Sequence, residues 1–396
     1  MFFRRALILL MPALPIAAQG QMLDELLPTA VPGYAPETWL AARRAVPPGA
    51  TGWQFGALGF APGLAARTGY DSAPNGSTGS SVLGIMPSLA VVDPVAGFGA
   101  YAEADETAYP QNSAQNITSA VLAAGERVQL PDETLTFSGA LLKSAESGFA
   151  LSSFAIINPI AFTLKDVRAS DDITFGSLTV SPRVYASIYN FPNFSSQNRQ
   201  DMQASLRLHY DNGAPLSYVA ELRAGRNTGT DIVQDANDYA ALAGLQDKAE
   251  GLWMVSALAG GAWRAPRIGR GFAAPVMEAR LDWSPDRLDE LRLNLAREID
   301  DPDRLSATPY TLTAAKLTFI RSGLHDVTMT ARAGASNAAY LDTPLRETLF
   351  TASVEVKWQM SPALALNGRY LFNDRQSNQL GAANEHVLTL GLSWTP

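Results

Sequence analysis

Ten charged side chains recur on one side of segments whose other side is apolar. They are Arg207, Glu221, Arg223, Glu278, Arg280, Asp282, Arg292, Glu355, Lys357 and Arg369. Carboxylates and guanidinium groups interleaved on a shared face suit two tasks. They can pair across neighbouring strands into a rigidifying ladder, or they can line a wet passage and tune which ions cross it. Either requires partners or water, because isolated burial of a charge costs several kcal/mol.

Other candidate chemistry is sparse. His209, His325 and His386 fall in separate segments with no metal-ligand spacing on a shared face, so no metal site is expected. His209 and His386 read as inward-facing but lie far apart along the wall. Nucleophilic catalysis would need serine, histidine and an acid converging at one rim, so no catalytic residues are assigned and an enzyme is not expected. Asp300-Asp301-Pro302-Asp303 offers oxygen ligands but lacks the spaced donors of a dedicated calcium loop. Gly97-Phe98-Gly99 and Gly269-Arg270-Gly271 have no helix behind them and form no phosphate cradle, and no cofactor is implied.

The elements that position the charges have a period of two. Met202, Ala204, Leu206, Leu208 and Tyr210 oppose Gln203, Ser205, Arg207 and His209. Met277, Ala279, Leu281 and Trp283 oppose Glu278, Arg280 and Asp282, and Phe350 to Trp358 alternates in the same way. Side chains of a strand point to alternate faces, so these are ribbons with one apolar and one polar face. The alternation predicts strands at 52–69, 82–92, 97–107, 116–129, 134–144, 152–165, 173–189, 200–210, 216–226, 238–246, 251–264, 274–283, 288–299, 308–320, 326–335, 347–358, 363–373 and 385–394.

The connections alternate as well. Asp211-Asn212-Gly213-Ala214-Pro215, Ser284-Pro285-Asp286-Arg287 and Met360-Ser361-Pro362 are tight turns. Arg226 to Asn237, Asp300 to Ala307 and Asp374 to Asn384 are longer polar links. Short turns at one end and long loops at the other describe a transmembrane β-barrel. The expected fold is all-β: a single antiparallel barrel of about 18 strands with short periplasmic turns and long extracellular loops. Sixteen strands follow if one pair near 238–264 is misread. Trp53, Tyr210, Trp283, Trp358 and Trp394 lie near strand ends, as an interfacial girdle requires. In the closing ribbon, Leu388, Leu390, Leu392 and Trp394 face lipid while Thr389 and Ser393 face inward, and this strand should pair with both its predecessor and the strand at 52–69. Charges are expected to be nearly absent from the lipid side.

Composition agrees with export. The 396 residues are 47% hydrophobic, only 17% charged and free of cysteine, which excludes disulfide scaffolds and thiolate metal sites. A net charge of −8 argues against nucleic acid as a partner. Arg4-Arg5, the apolar run Ala6 to Ile16 and Ala17-Ala18-Gln19-Gly20 form a secretory signal over residues 1–20. Residues 21–50 hold five prolines between Pro28 and Pro48 without steady alternation. They read as a periplasmic lead-in or partial plug, and residues 51–396 as the barrel.

Three regions carry a family resemblance. Leu281-Asp282-Trp283-Ser284-Pro285, continuing through Leu291-Arg292-Leu293-Asn294-Leu295-Ala296-Arg297-Glu298-Ile299, is a strand–turn–strand signature. With Met360-Ser361-Pro362-Ala363-Leu364 to Tyr370, and with Phe60-Ala61-Pro62-Gly63-Leu64 and Gly69-Tyr70-Asp71, it resembles the putative β-barrel porin 2 family. The chain departs from that family's pattern in placing Thr395-Pro396 after Trp394. The resemblance implies a barrel in the bacterial outer membrane, often found alongside exopolysaccharide production and export. Its partners would be outer-membrane lipid, the barrel-assembly machinery, and exopolysaccharide or its export components. The expected function is a porin-like passage or export-associated pore for small solutes or polysaccharide. The alternative is a structural or interaction barrel with a filled lumen, whose outer loops bind a partner or polysaccharide.

Overall fold

The computed structural model describes residues 23, 26–28, 30–34, 52–149, 151, 158–230, 235–247, 252–286, 288–300, 309–323, 326–341 and 343–396. The expected signal segment lies outside the described residues, as do His325 and Asp301 to Asp303.

Among the described residues the chain forms nineteen antiparallel strands in one sheet. They are β1 (Trp53–Phe55), β2 (Leu58–Asp71), β3 (Ser80–Asp93), β4 (Phe98–Ala108), β5 (Ile117–Gln129), β6 (Glu133–Glu146), β7 (Ile160–Phe175), β8 (Leu178–Asn190), β9 (Arg199–Tyr210), β10 (Leu216–Gly229), β11 (Ala236–Asp247), β12 (Trp253–Pro266), β13 (Phe272–Trp283), β14 (Asp289–Asp300), β15 (Tyr310–Ser322), β16 (Val327–Tyr340), β17 (Arg346–Ser361), β18 (Leu364–Ser377) and β19 (Gly381–Trp394). β1 is a short hairpin partner of β2, with Trp53 opposite Phe60. The other eighteen each pair with their chain neighbour. β19 closes the ring by pairing both with β18 and, from Val387 opposite Asp71 to Trp394 opposite Leu64, with β2. Closure leaves no edge whose backbone groups would be unsatisfied in hydrocarbon.

The two faces of the wall differ as the alternation requires. Leu64, Leu122, Met202, Leu222, Val354, Leu388 and Leu390 are exposed outward. Between them, charged residues such as Glu103, Asp166, Asp282 and Glu355 are buried on the inner side. Trp53, Tyr210, Tyr218, Trp253, Trp358 and Trp394 remain exposed at the short-turn end. There Trp253 stacks on Trp283 with ring centroids 5.0 Å apart, and the cross-strand register fixes that pair. This is the aromatic girdle of one membrane interface.

Three expectations need correction. The segment 166–172 is not a link between strands at 152–165 and 173–189; it is the middle of β7, and the turn falls after Phe175. Asp166, Arg168 and Asp172 sit on the inner face while Val167 keeps the outward parity, which Asp171 shares nearer the turn, so the period of two survives the polar composition. The polar links at Arg226–Asn237 and Asp374–Asn384 are shorter than expected, because the strands keep pairing beyond the apolar band, whereas the link after Asp300 runs to the start of β15 at Tyr310. The Asp374 to Asn384 link shrinks to residues 378–380. Finally, His386 faces outward: β19 pairs with β18 in unbroken register, so His386 shares the face of Leu388. Its Nδ1 lies 2.8 Å from Tyr370 Oη, and its ring packs 5.0 Å from Phe372.

Candidate functional site: the inner wall and what reaches into it

The ten charged residues read from the sequence all lie on the face that alternates with the exposed apolar side chains. Their contacts are mostly with one another. Arg223 on β10 donates from Nη1 and Nη2 to the two Glu278 carboxylate oxygens on β13, at 2.5 and 3.0 Å. Its Nε also donates to Glu221 Oε1 at 2.7 Å. Two strands separate Arg223 from Glu278, so one guanidinium ties β10 to β13 across β11 and β12. Arg280 pairs with Asp282 at 2.8 Å, and Arg292 with Glu290 at 2.5 Å. Arg207 donates to Gln246 Oε1 at 2.9 Å. Glu355 lies 3.9 Å from Arg332 on β16. Lys357 is buried on the same strand, two positions along. Arg369 lies on the inner face of β18, opposite Glu355.

A comparable bridge at β2–β4 depends on a missing side chain. Arg67 Nη2 donates to Asp105 Oδ2 at 2.7 Å, across the intervening β3. It passes over Gly84, where an added Cβ would lie 2.7 Å from Arg67 Nε.

Sequence reasoning missed the group with the most partners. Tyr34, fully buried, lies inside the wall and donates from Oη to Asp166 Oδ1 at 2.8 Å. Arg168 stacks its guanidinium 4.4 Å from the Tyr34 ring centroid and donates to Gly33 O at 3.3 Å. Arg168 also pairs with Asp166 at 2.9 Å, and Ser187 Oγ donates to Asp166 Oδ2 at 2.6 Å. Burial, reinforced by the Asp166 carboxylate, pushes the Tyr34 phenol well above its usual range, so it stays a donor at working pH.

The backbone around Tyr34 sits on glycine. Gly99 on β4 and Gly125 on β5 are direct cross-strand partners. A Cβ at Gly99 would lie 1.9 Å from Ala30 O, and one at Gly125 would lie 2.3 Å from Pro32 O. The wall is bare of side chains where residues 30–32 cross it. Leu23, Leu26, Leu27 and Val31 then bury against Tyr101, Val121, Leu142, Phe162, Leu164 and Phe191, forming an apolar cluster on an otherwise polar face. The proline-rich composition of residues 21–50 suggested a partial plug without naming its contacts; the pairing of Gly99 with Gly125, which marks the seat, becomes visible once register is known.

A second segment reaches inward from the β6–β7 connection. Phe149 and Leu151 are buried, and Leu151 packs with Tyr310, Leu312, Tyr340 and Leu349 of β15–β17. Arg375 on β18 donates to Gly148 O and holds its guanidinium 5.8 Å from the Phe149 ring. Asn75 Oδ1 accepts from Gly148 N at 2.6 Å, tying this segment to the β2–β3 loop. The connection thus spans from β6 to strands on the far side of the ring. No group of histidine and carboxylate side chains able to hold a metal occurs among the described residues.

The family comparison agrees with this architecture. Residues 46–394 match the putative beta-barrel porin 2 family. No curated protein matches the sequence. Among solved structures the chain is similar to OccK2 (OpdF) of Pseudomonas aeruginosa, with 13% identity, 85% of this chain and 98% of that one covered, and a TM-score of 0.47. It is similar to OpdO of the same organism, with 14% identity, 85% and 97% covered and a TM-score of 0.48. It is similar also to the siderophore receptor PirA of Pseudomonas aeruginosa, with 10% identity, 85% and 80% covered and a TM-score of 0.42. A closed ring of strands with an apolar outside, an aromatic girdle and a charged inside is a porin-like barrel of the bacterial outer membrane, and this chain belongs to the putative beta-barrel porin 2 family.

Proposed function

We propose that the barrel is a diffusive passage for small hydrophilic solutes, narrowed from within by the segment around Tyr34 and by the β6–β7 connection. The observation that carries this reading is the set of paired charges distributed over the inner face, including Arg67–Asp105, Arg223–Glu278 and Arg280–Asp282. Paired charges keep the wall hydrated and rigid while leaving little net field, so transit depends on size and local charge rather than on tight binding. Nothing in such a passage calls for turnover.

A polysaccharide chain as cargo would require both inward segments to move aside, which makes small solutes the better match. The second reading, a filled interaction barrel, draws on the two apolar clusters that those segments form inside the wall. Liposome swelling separates the two. Full-length protein reconstituted into liposomes should admit small sugars and exclude larger oligosaccharides, with the limit moving upward when residues 22–50 are deleted. Liposomes that stay impermeable even with the deletion would favour the interaction barrel.

A further inference from the structure

The outward face is not free of charge. Lys143 on β6, Lys165 on β7 and Arg226 on β10 all point outward and are exposed, against the expectation of a nearly uncharged lipid side. Register places them within four residues of one another along the strands, with Lys143 two residues above the row of Lys165, and Arg226, which lies opposite Met202, two below it. Lys143 lies opposite Thr163 and Lys165 opposite Ile188. Ile188 lies opposite Gln200, and Gln200 opposite Thr228, two residues beyond Arg226. Lys165 is two residues beyond Thr163, making Lys143 and Lys165 diagonal neighbours roughly 7–8 Å apart at the backbone.

Beside Lys165, at the loop ends of β7–β10, lies a cavity of about 460 Å³ lined by Thr163, Lys165, Asn190, Gln200 and Thr228 among others; Lys143 and Arg226 flank it without lining it. Among the described residues none of the three cations has an ion-pair partner, whereas inward cations such as Arg67, Arg168 and Arg223 are paired. The outward carboxylate of Glu106 on β4 is itself engaged, accepting from Thr118 Oγ1 at 2.5 Å.

Depth decides what such a group meets. Along β9, Gln200 sits about ten residues from the girdle residue Tyr210, which at the usual rise and tilt is about 25 Å, the height of the apolar band. The cations therefore stand at the opposite interface, on the long-loop side. Below the two lysines, and level with or below Arg226, the same strands present Val167, Val184, Met202 and Leu222 to lipid. Cations beside hydroxyl and amide groups, directly above an apolar surface, complement a lipid with phosphate on a sugar headgroup. We propose that this outward pocket binds a phosphorylated glycolipid of the outer leaflet. The phosphate lies between Lys143 and Lys165, with Arg226 at the far edge. The sugar hydroxyls meet Asn190, Gln200 and Thr228, and the acyl chains run over Met202 and Leu222.

Native mass spectrometry of the full-length barrel tests this with three added lipids: a bis-phosphorylated glucosamine lipid, the same lipid dephosphorylated, and phosphatidylglycerol. The expected result is selective retention of the phosphorylated glycolipid, weakened tenfold or more in a K143Q/K165Q/R226Q variant and retained in K143R/K165R. Heat-modifiable migration on gels establishes that each variant is folded. Equal retention of phosphatidylglycerol, or undiminished glycolipid binding in the glutamine variant, overturns the proposal. So does loss of an oligomer in that variant without loss of lipid, which would identify the patch as a protein contact. None of these readouts depends on whether the lumen conducts.

Discussion

Tyr34 and Asp166 are joined by a 2.8 Å hydrogen bond that spans 132 residues of sequence. It fastens a proline-rich stretch preceding the barrel to the middle of β7. A hydrogen bond to a buried carboxylate contributes about 1.5–3 kcal/mol. Tyr34→Phe removes it while keeping the ring over Arg168. The docking equilibrium constant should fall roughly tenfold to a hundredfold. Single-channel recording should then show more frequent open events than in the unsubstituted protein, with the same heat-modifiable migration.

Gly99→Ala tests the docking from the wall side. The added methyl would lie 1.9 Å from Ala30 O, a contact with backbone that no side-chain rotation relieves. The strand itself accepts alanine. The variant should fold as a barrel, expose residues 30–34 to limited proteolysis and raise solute flux several-fold. The same change at Gly139, where a Cβ would meet nothing closer than 3.7 Å, is the control and should leave flux unchanged.

Arg223 gives a prediction about stability and selectivity together. Arg223→Ala leaves Glu221 and Glu278 without their shared cation and should cost about 1–3 kcal/mol. Thermal unfolding should drop measurably, and reversal potentials in a salt gradient should shift toward cation preference. Arg223→Ala combined with Glu278→Ala should recover much of the stability and lose most of the shift.

Gly84→Val places a branched side chain where Arg67 crosses β3, with the first added carbon 2.7 Å from Nε. Arg67 should be forced away from Asp105, leaving an uncompensated carboxylate on the inner face. The expected outcome is increased cation selectivity with an intact barrel, matching Arg67→Gln in bilayer recordings.

Most of the wall was legible because alternation and turn residues are local. Met202 to Tyr210 and Phe350 to Trp358 declare their faces without reference to any partner. Closure of β19 on β2 followed from an even strand count. Asp166-Val167-Arg168 was misjudged because charge at a strand centre resembles a loop until a partner accounts for it, and that partner, Tyr34, lies far away in the chain. The link from Asp374 to Asn384 was overestimated for a related reason: polar composition marks exit from the apolar band, while backbone pairing continues to Ser377. The inner charges were found because parity identifies them. The glycine seat at positions 99 and 125 was not, because an absent side chain carries no period of its own. The cations at 143, 165 and 226 lie on the outward parity, and only the depth assigned by the girdle explains why they are tolerated there.

The central claim is that an aqueous path runs through the charged interior and that the segment around Tyr34 narrows it. Single-channel conductance of refolded protein in a planar bilayer, with and without residues 22–50, addresses it most directly. The predicted result is small, flickering conductance in the full chain and a stable conductance several-fold larger in the deletion. A correctly folded deletion variant that passes no current would contradict the account.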